Sequence, residues 1–254
     1  MTMRRKPPQD TGVDLVQSGI SAELLRTETG RPRLTPESQQ VMRTLSRLSA
    51  RSGRLSPLGY NLAINHEHRF VWYRVAKVAT RTVLSYLEEH QVPLDVRTRR
   101  MRYPTVLFED YTKFAFVRNP MDRFVSAWKD KVVAANYFGF DSEAHARMQS
   151  VEAFAAWTAA HDLSDLAEAD QHLALQSRLV DLTQVDHLGR LETFDEDFAR
   201  IMAAIGLPGT PLARLNASNR SSGGAAPSDE LRAIVGGIYR RDFEILGYPP
   251  PAPA

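Results

Sequence analysis

The sequence predicts an α/β fold, a single domain with a central parallel sheet flanked by helices. Three observations predict it. Short apolar runs rich in β-branched and aromatic residues alternate with segments of helical period. Hydrophobic residues make up 43% of the 254 residues, enough for a sizeable core, and no linker-like stretch interrupts the middle of the chain. Two apolar runs, Phe70-Val71-Trp72-Tyr73 and Phe114-Ala115-Phe116-Val117, end in basic, polar turns that enter helices. Ligands of such sheets bind at the carboxyl ends of the strands, so these turns are the natural place for a site.

In chain order, residues 1–55 are polar, with scattered Pro, Arg and Ser, and read as a partly flexible N-terminal arm. Val41, Leu45 and Leu48 predict a helix within it over 37–48. The α/β domain is expected over 56–248. Its first strand lies in 62–75, followed by a helix over 80–90 with Val83, Leu84 and Leu87 on one face. Residues 91–101 are basic and turn-like, 106–108 read as a second strand and 113–117 as a third. Phe124, Val125 and Trp128 give 121–133 a helical period, and a loop follows over 134–142. A helix is expected over 151–161 and a mixed segment over 173–182, after which 186–190 lead into Leu191-Glu192-Thr193-Phe194. The helix over 195–205 should close at Gly206, and Ser228, preceded by Pro227, should cap a terminal helix over 228–239. Between them 218–226 is a Ser/Gly-rich loop, and 249–254 reads as a disordered Pro/Ala tail.

Bulk properties exclude several classes. The net charge of +2 is not that of a polycation, so nucleic acid is not an expected partner. Without cysteine there are no disulfides, zinc thiolates or thiol nucleophiles, which fits a cytoplasmic protein. No apolar run reaches about 18 residues, so no integral membrane segment is expected. The basic residues 1–10 lack a following apolar stretch and do not read as a secretory signal. No His/Asp/Glu set has ligand spacing, so no metal is expected.

The first turn is Arg74-Val75-Ala76-Lys77-Val78-Ala79-Thr80-Arg81-Thr82. A helix N-terminus presents free N–H groups and partial positive charge, and so attracts phosphate or sulfate. Thr80 and Thr82 add hydroxyls, Arg74 and Arg81 add charge, and Lys77 could reach a leaving oxygen. It is not the G-x-x-x-x-G-K-[ST] loop, which occurs nowhere in the chain. The second turn supplies Arg118 and, about two helical turns on, Ser126, a possible clamp for a second phosphate. Pro120 is tolerated in the first helical turn. Taken singly, each turn is as well explained without a ligand: Lys77 simply exposed, Arg118 paired with Asp122, Ser126 packed.

Together the turns resemble those of sulfotransferases that use 3′-phosphoadenosine-5′-phosphosulfate (PAPS). The first is similar to the family's 5′-phosphosulfate loop. The second, 111–128 with its Phe-Val-Arg-Asn-Pro core, is similar to the 3′-phosphate motif, nearest to carbohydrate sulfotransferases of the chondroitin 4-O group, sulfotransferase family 2. The resemblance covers about residues 62–220 and implies a P-loop-NTPase-like fold. Asp170-Gln171-His172 with Gln176 resembles the Glu-His-Trp-x-Pro region, Gly189-Arg190-Leu191-Glu192-Thr193 resembles Gly-Lys-x-Glu-Thr, and Leu215-Asn216-Ala217-Ser218 resembles a late segment that closes over the nucleotide. Ala76 replaces a common Pro, Ala79 stands where the cytosolic branch has Gly, and Leu173 and Leu175 replace the Trp and Pro after His172. The family's secretory anchor and cysteines are missing, which suggests a bacterial-type version.

The resemblance implies sulfuryl transfer from PAPS to a carbohydrate hydroxyl by in-line displacement. Lys77 would contact the leaving oxygen; the backbone of Val78, Ala79, Thr80, Arg81 and Thr82, with the two Thr hydroxyls, would hold the 5′ group. Arg118 and Ser126 would hold the 3′-phosphate, Arg74 and Arg81 would add charge, and Asn216 and Ser218 would close over the nucleotide. His172 is the first candidate for the general base, with Glu109 and Asp110 next. Glu192 is expected in a structural hydrogen bond. Arg97, Arg99, Arg100 and Arg102 form a basic stretch suited to an anionic glycan. Two alternatives stand beside this reading: a kinase-like phosphotransferase, and a non-catalytic glycan- or anion-binding module on the same fold.

Overall fold

The apolar run 62–75 carries a polar interruption, His66-Glu67-His68-Arg69, and the chain folds back there. In the computed structural model, which describes residues 55–166, 168–210 and 227–251, the run forms a hairpin rather than one strand. Strand β1 (Leu62–Asn65) pairs antiparallel with β2 (Phe70–Tyr73). Asn65 Oδ1 accepts the His68 N–H at 2.5 Å, and Arg69 takes a left-handed φ of 49°, so side-chain and backbone chemistry close the turn together. The expected helix at 37–48, the 218–226 loop, and Asn216 and Ser218 lie outside the described residues.

The sheet has five strands in the order β3-β1-β2-β4-β5 and is mixed, which corrects the expectation of a parallel sheet. Here β3 is Val96–Arg97, β4 is Thr112–Val117 and β5 is His187–Arg190. β4 lies parallel to both β2 and β5, whereas β1 runs against both of its neighbours. The register sets Tyr73 beside Ala115 and Val117 beside Arg190, so β2, β4 and β5 deliver their carboxyl ends to one edge. Gly189 permits the close β4–β5 approach, since a Cβ there would lie 2.6 Å from the Phe116 ring.

Helix α1 (Thr80–Glu89) follows β2 and α2 (Pro120–Trp128) follows β4. Five further helices are α3 (Ser142–Met148), α4 (Val151–Ala159), α5 (Gln176–Leu179), α6 (Phe194–Ala204) and α7 (Asp229–Ile238), and α8 (Arg240–Ile245) ends the series. Tyr86 of α1 meets Phe198 of α6 edge-on at 4.8 Å, and Phe198 stacks with Phe116 of β4 at 6.3 Å. A second cluster joins Phe124 of α2 to Phe154 of α4 at 5.5 Å and to Tyr239 at 6.2 Å. These residues are almost wholly buried, and each such aromatic pair contributes about 1 kcal/mol beyond its area.

Residues 106–108 are not a strand. Pro104 precedes a tight 3₁₀ turn (Thr105–Phe108), and three apolar residues are too few for period to separate strand from helix. Past Trp128 the α2 pattern widens into a π turn (Lys129–Val133), where the Ala134 N–H reaches the Lys129 carbonyl at 2.9 Å. Among the described residues no helix is long and apolar enough to cross a membrane.

Candidate functional site

The turn after β2 is shaped by its backbone. Lys77 (φ 71°) and Ala79 (φ 58°) are both left-handed, a conformation that side chains other than Gly rarely adopt and that is often retained at functional sites. Ala79 occupies the N-cap position of α1 and supplies no side-chain acceptor for the first N–H groups of the helix. The Thr80 hydroxyl donates to the Val75 carbonyl at 2.7 Å, Thr82 is 4% exposed and Val78 2%. Thr80 therefore braces the turn instead of offering a free donor, while Arg81 is exposed. Arg74 donates from Nη2 to the Thr98 carbonyl at 2.7 Å, but its Nε is buried with no partner among the described residues. Burial, with Arg97 and Arg99 nearby, lowers its pKa to about 10.

The turn after β4 is gripped from both sides. The Gln176 amide accepts the Arg118 N–H (3.0 Å) and donates to the Arg118 carbonyl (2.8 Å). Asp242 of α8 in turn accepts the N–H groups of Gln176 (2.7 Å) and Ser177 (2.9 Å). The Asn119 side chain caps α2 by accepting the Met121 N–H at 2.9 Å. The Asn119 N–H donates to Glu192 (2.7 Å), whose other oxygen accepts the Tyr248 hydroxyl (2.9 Å). Arg190 closes this side, with its guanidinium 4.4 Å from the Tyr248 ring and Nη2 donating to the Leu246 carbonyl at 2.7 Å. Glu192 is thus placed as a brace. With its backbone fixed, Arg118 makes no ion pair with Asp122 or any other acid among the described residues, and Ser126 is half-buried on α2.

Arg123 joins this edge to the 170–175 segment. It is 1% exposed, and its guanidinium donates to the carbonyls of Ala76 (3.1 Å), Ala174 (3.0 Å) and Gln171 (3.1 Å). One side chain therefore anchors the Lys77 turn and the segment bearing His172. Only a planar fork of donors serves three separated carbonyls in this way. Burial lowers the Arg123 pKa, opposed by Tyr239, Asp242 and Asp170.

His172 is held by Asp170. The same carboxylate oxygen, Oδ1, meets the His172 N–H and ring Nδ1, each at 2.8 Å. The Tyr137 hydroxyl donates to Oδ2 at 3.0 Å, and its ring lies edge-on to the imidazole at 5.1 Å. Burial alone would raise the Asp170 pKa, but its bonds to His172 and Tyr137 lower it to about 2. The carboxylate is therefore an acceptor, and Nδ1 carries the hydrogen between the two side chains. Lys77 Nζ lies 3.3 Å from Asp130, which also holds Lys131 at 3.1 Å; Lys131 sits over the Tyr137 ring at 4.7 Å.

Other expected residues are elsewhere or committed. Asp110 pairs with Arg69 at 2.9 Å, just before β4 begins, and Glu109 precedes it, so both lie at the opposite end of the sheet from Lys77. That position removes them as candidate bases. Arg100 donates to the Ala169 carbonyl and Arg102 to that of Ser56 (2.7 Å), whereas Arg97 and Arg99 have no acid partner among the described residues. Sequence reasoning gave no role to Arg123, Asp130, Lys131, Tyr137 or Asp170. One signal for Asp170 was present, since an Asp two residues before a His can turn back on it.

A family model described as "Sulfotransferase family" matches residues 60–249. No curated protein and no solved structure matches the chain.

Proposed function

The chain belongs to the sulfotransferase family, and from that premise we propose that it moves the sulfuryl group of PAPS to a carbohydrate hydroxyl. The shared anchorage at Arg123 carries this reading, because it couples the Lys77 turn to the segment holding a His172–Asp170 pair. The residues present fit the donor. Among the described residues, the start of α1 has no side-chain cap, the buried Nε of Arg74 has no partner and Arg118 pairs with no acid, which makes this edge complementary to an anionic nucleotide. Lys77, the 78–82 backbone and Arg74 would hold the 5′ end, and Arg118 with Ser126 the 3′-phosphate.

The donor, when bound, supplies a sulfuryl group on a phosphate leaving group. His172 Nε2 would accept the hydroxyl proton of the acceptor as the new S–O bond forms. Asp170 would stabilise the resulting imidazolium through Nδ1. Lys77 Nζ would donate to the departing phosphate oxygen, where negative charge accumulates. The resemblance to the chondroitin 4-O group supports the carbohydrate acceptor, and the absence of cysteine supports a cytoplasmic location.

Calorimetry with 3′-phosphoadenosine-5′-phosphate tests the donor site. We expect tight binding by wild type, at least tenfold weaker binding by Arg118→Ala through loss of a charge-assisted contact, and no comparable binding of ATP–magnesium. A folded wild-type protein that ignores the bisphosphate would refute the proposal.

A further inference from the structure

An acid that belongs to neither nucleotide-type turn stands closest to the lysine of the first. The chain places it there by a change of helical pitch. α2 ends at Trp128, and the π turn Lys129–Val133 inserts a wider loop of backbone, closed by the bond from the Ala134 N–H to the Lys129 carbonyl. Such turns re-aim side chains that a continuous α-helix would carry elsewhere, and they concentrate at functional sites. Here the turn brings Asp130 and Lys131 to Lys77. One oxygen, Asp130 Oδ2, meets both ammonium groups, Lys77 at 3.3 Å and Lys131 at 3.1 Å.

The arrangement is asymmetric. The Lys77 side chain is 17% exposed, so solvent screens it poorly. The charged groups facing it are Asp130 and Lys131 from the π turn and Arg81 from α1. Asp130 is the single anion among these, opposing two cations. An ammonium on a residue already strained at φ 71° has several rotatable bonds, and a fixed counter-charge restricts where it points.

Resting on the sulfotransferase reading, we propose that Asp130 is a positioning residue, holding the Lys77 ammonium at the first turn against the repulsion of Lys131 and Arg81. Burial lowers the Lys77 pKa and Asp130 opposes that fall, so removing the carboxylate lowers it further. The alkaline loss of the charged form then moves to lower pH.

The test follows the Lys77 resonance by NMR titration of protein carrying 13C-labelled lysine, assigned with Lys77→Met. Wild type, Asp130→Asn and Asp130→Glu are compared, with bisphosphate calorimetry in parallel. The expected result is a Lys77 midpoint at lower pH in Asp130→Asn, from loss of the opposite charge 3.3 Å away, and restored by Asp130→Glu. At neutral pH Asp130→Asn should bind the bisphosphate no more weakly than wild type, because an anion has been removed beside an anionic ligand, while turnover falls about tenfold. An unchanged midpoint in Asp130→Asn overturns the inference, as does weakening of bisphosphate binding in step with turnover. If the midpoint moves as expected but wild type binds no bisphosphate, the Asp130–Lys77 coupling stands and the donor reading fails.

Discussion

Asp170 does two jobs through one oxygen: it fixes the path of the chain at the His172 N–H and the tautomer of the imidazole at Nδ1. Asp170→Asn should therefore lower turnover by on the order of 10²-fold, the usual scale for a general base, with little effect on bisphosphate affinity. It should also change the acid limb of stability. The folded-state pKa of about 2 lies below the ordinary value of about 4, so the ionised carboxylate stabilises the fold above pH ~4. That contribution disappears as pH falls toward about 2. The gap in Tm between wild type and Asp170→Asn should be largest above pH ~4 and close below it, as thermal scans across pH would show. Local polar chemistry was legible at Ser228, whose hydroxyl accepts the Leu231 N–H, whereas the equally local Asp170–His172 turn was given no role. Tyr137 was not legible, because its bond to Asp170 joins positions distant in sequence and neither neighbourhood announces the other.

At the scale of elements, period carried the reading where an amphipathic face exists. α2, α4, α6 and α7 lie close to their predicted spans, with Ser228 accepting the Leu231 N–H and Gly206 left-handed at φ 74° just past α6. β3 and β5 escaped because Val96–Arg97 and His187–Arg190 have little strand character of their own; pairing with β1 and β4 makes them strands. The hairpin was missed because four polar residues inside an apolar run were too weak a break. The first turn carries a cost that can be measured. Ala79 holds a left-handed φ of 58°, where a Cβ is disfavoured by about 1–2 kcal/mol, only partly offset by the greater entropy that glycine loses on folding. Ala79→Gly should raise Tm by about 2–4 °C in calorimetric scans and leave bisphosphate binding intact. A lower Tm would show that Ala79 is not strained.

The molecule as a whole is nearly neutral, so its field is set by where charge is left uncompensated. The basic stretch after α1 divides in two: Arg100 and Arg102 are tied to backbone carbonyls, while Arg97 and Arg99 stand near Arg74 with no acid partner among the described residues. Arg99→Glu should therefore raise the Michaelis constant for an anionic acceptor by about tenfold at low salt, with the difference shrinking near 1 M salt, where the Debye length is about 3 Å. Equal constants across ionic strength would exclude an electrostatic role for Arg99. The bracing of the second turn reaches furthest along the chain. Its backbone depends on Glu192, which is held by Tyr248, and on Gln176, which is held by Asp242. On the ribosome, Arg118 therefore emerges long before the residues that fix it. The nascent chain cannot complete this bracing until Tyr248 has also cleared the exit tunnel, so the turn is finished well after the strand that leads into it.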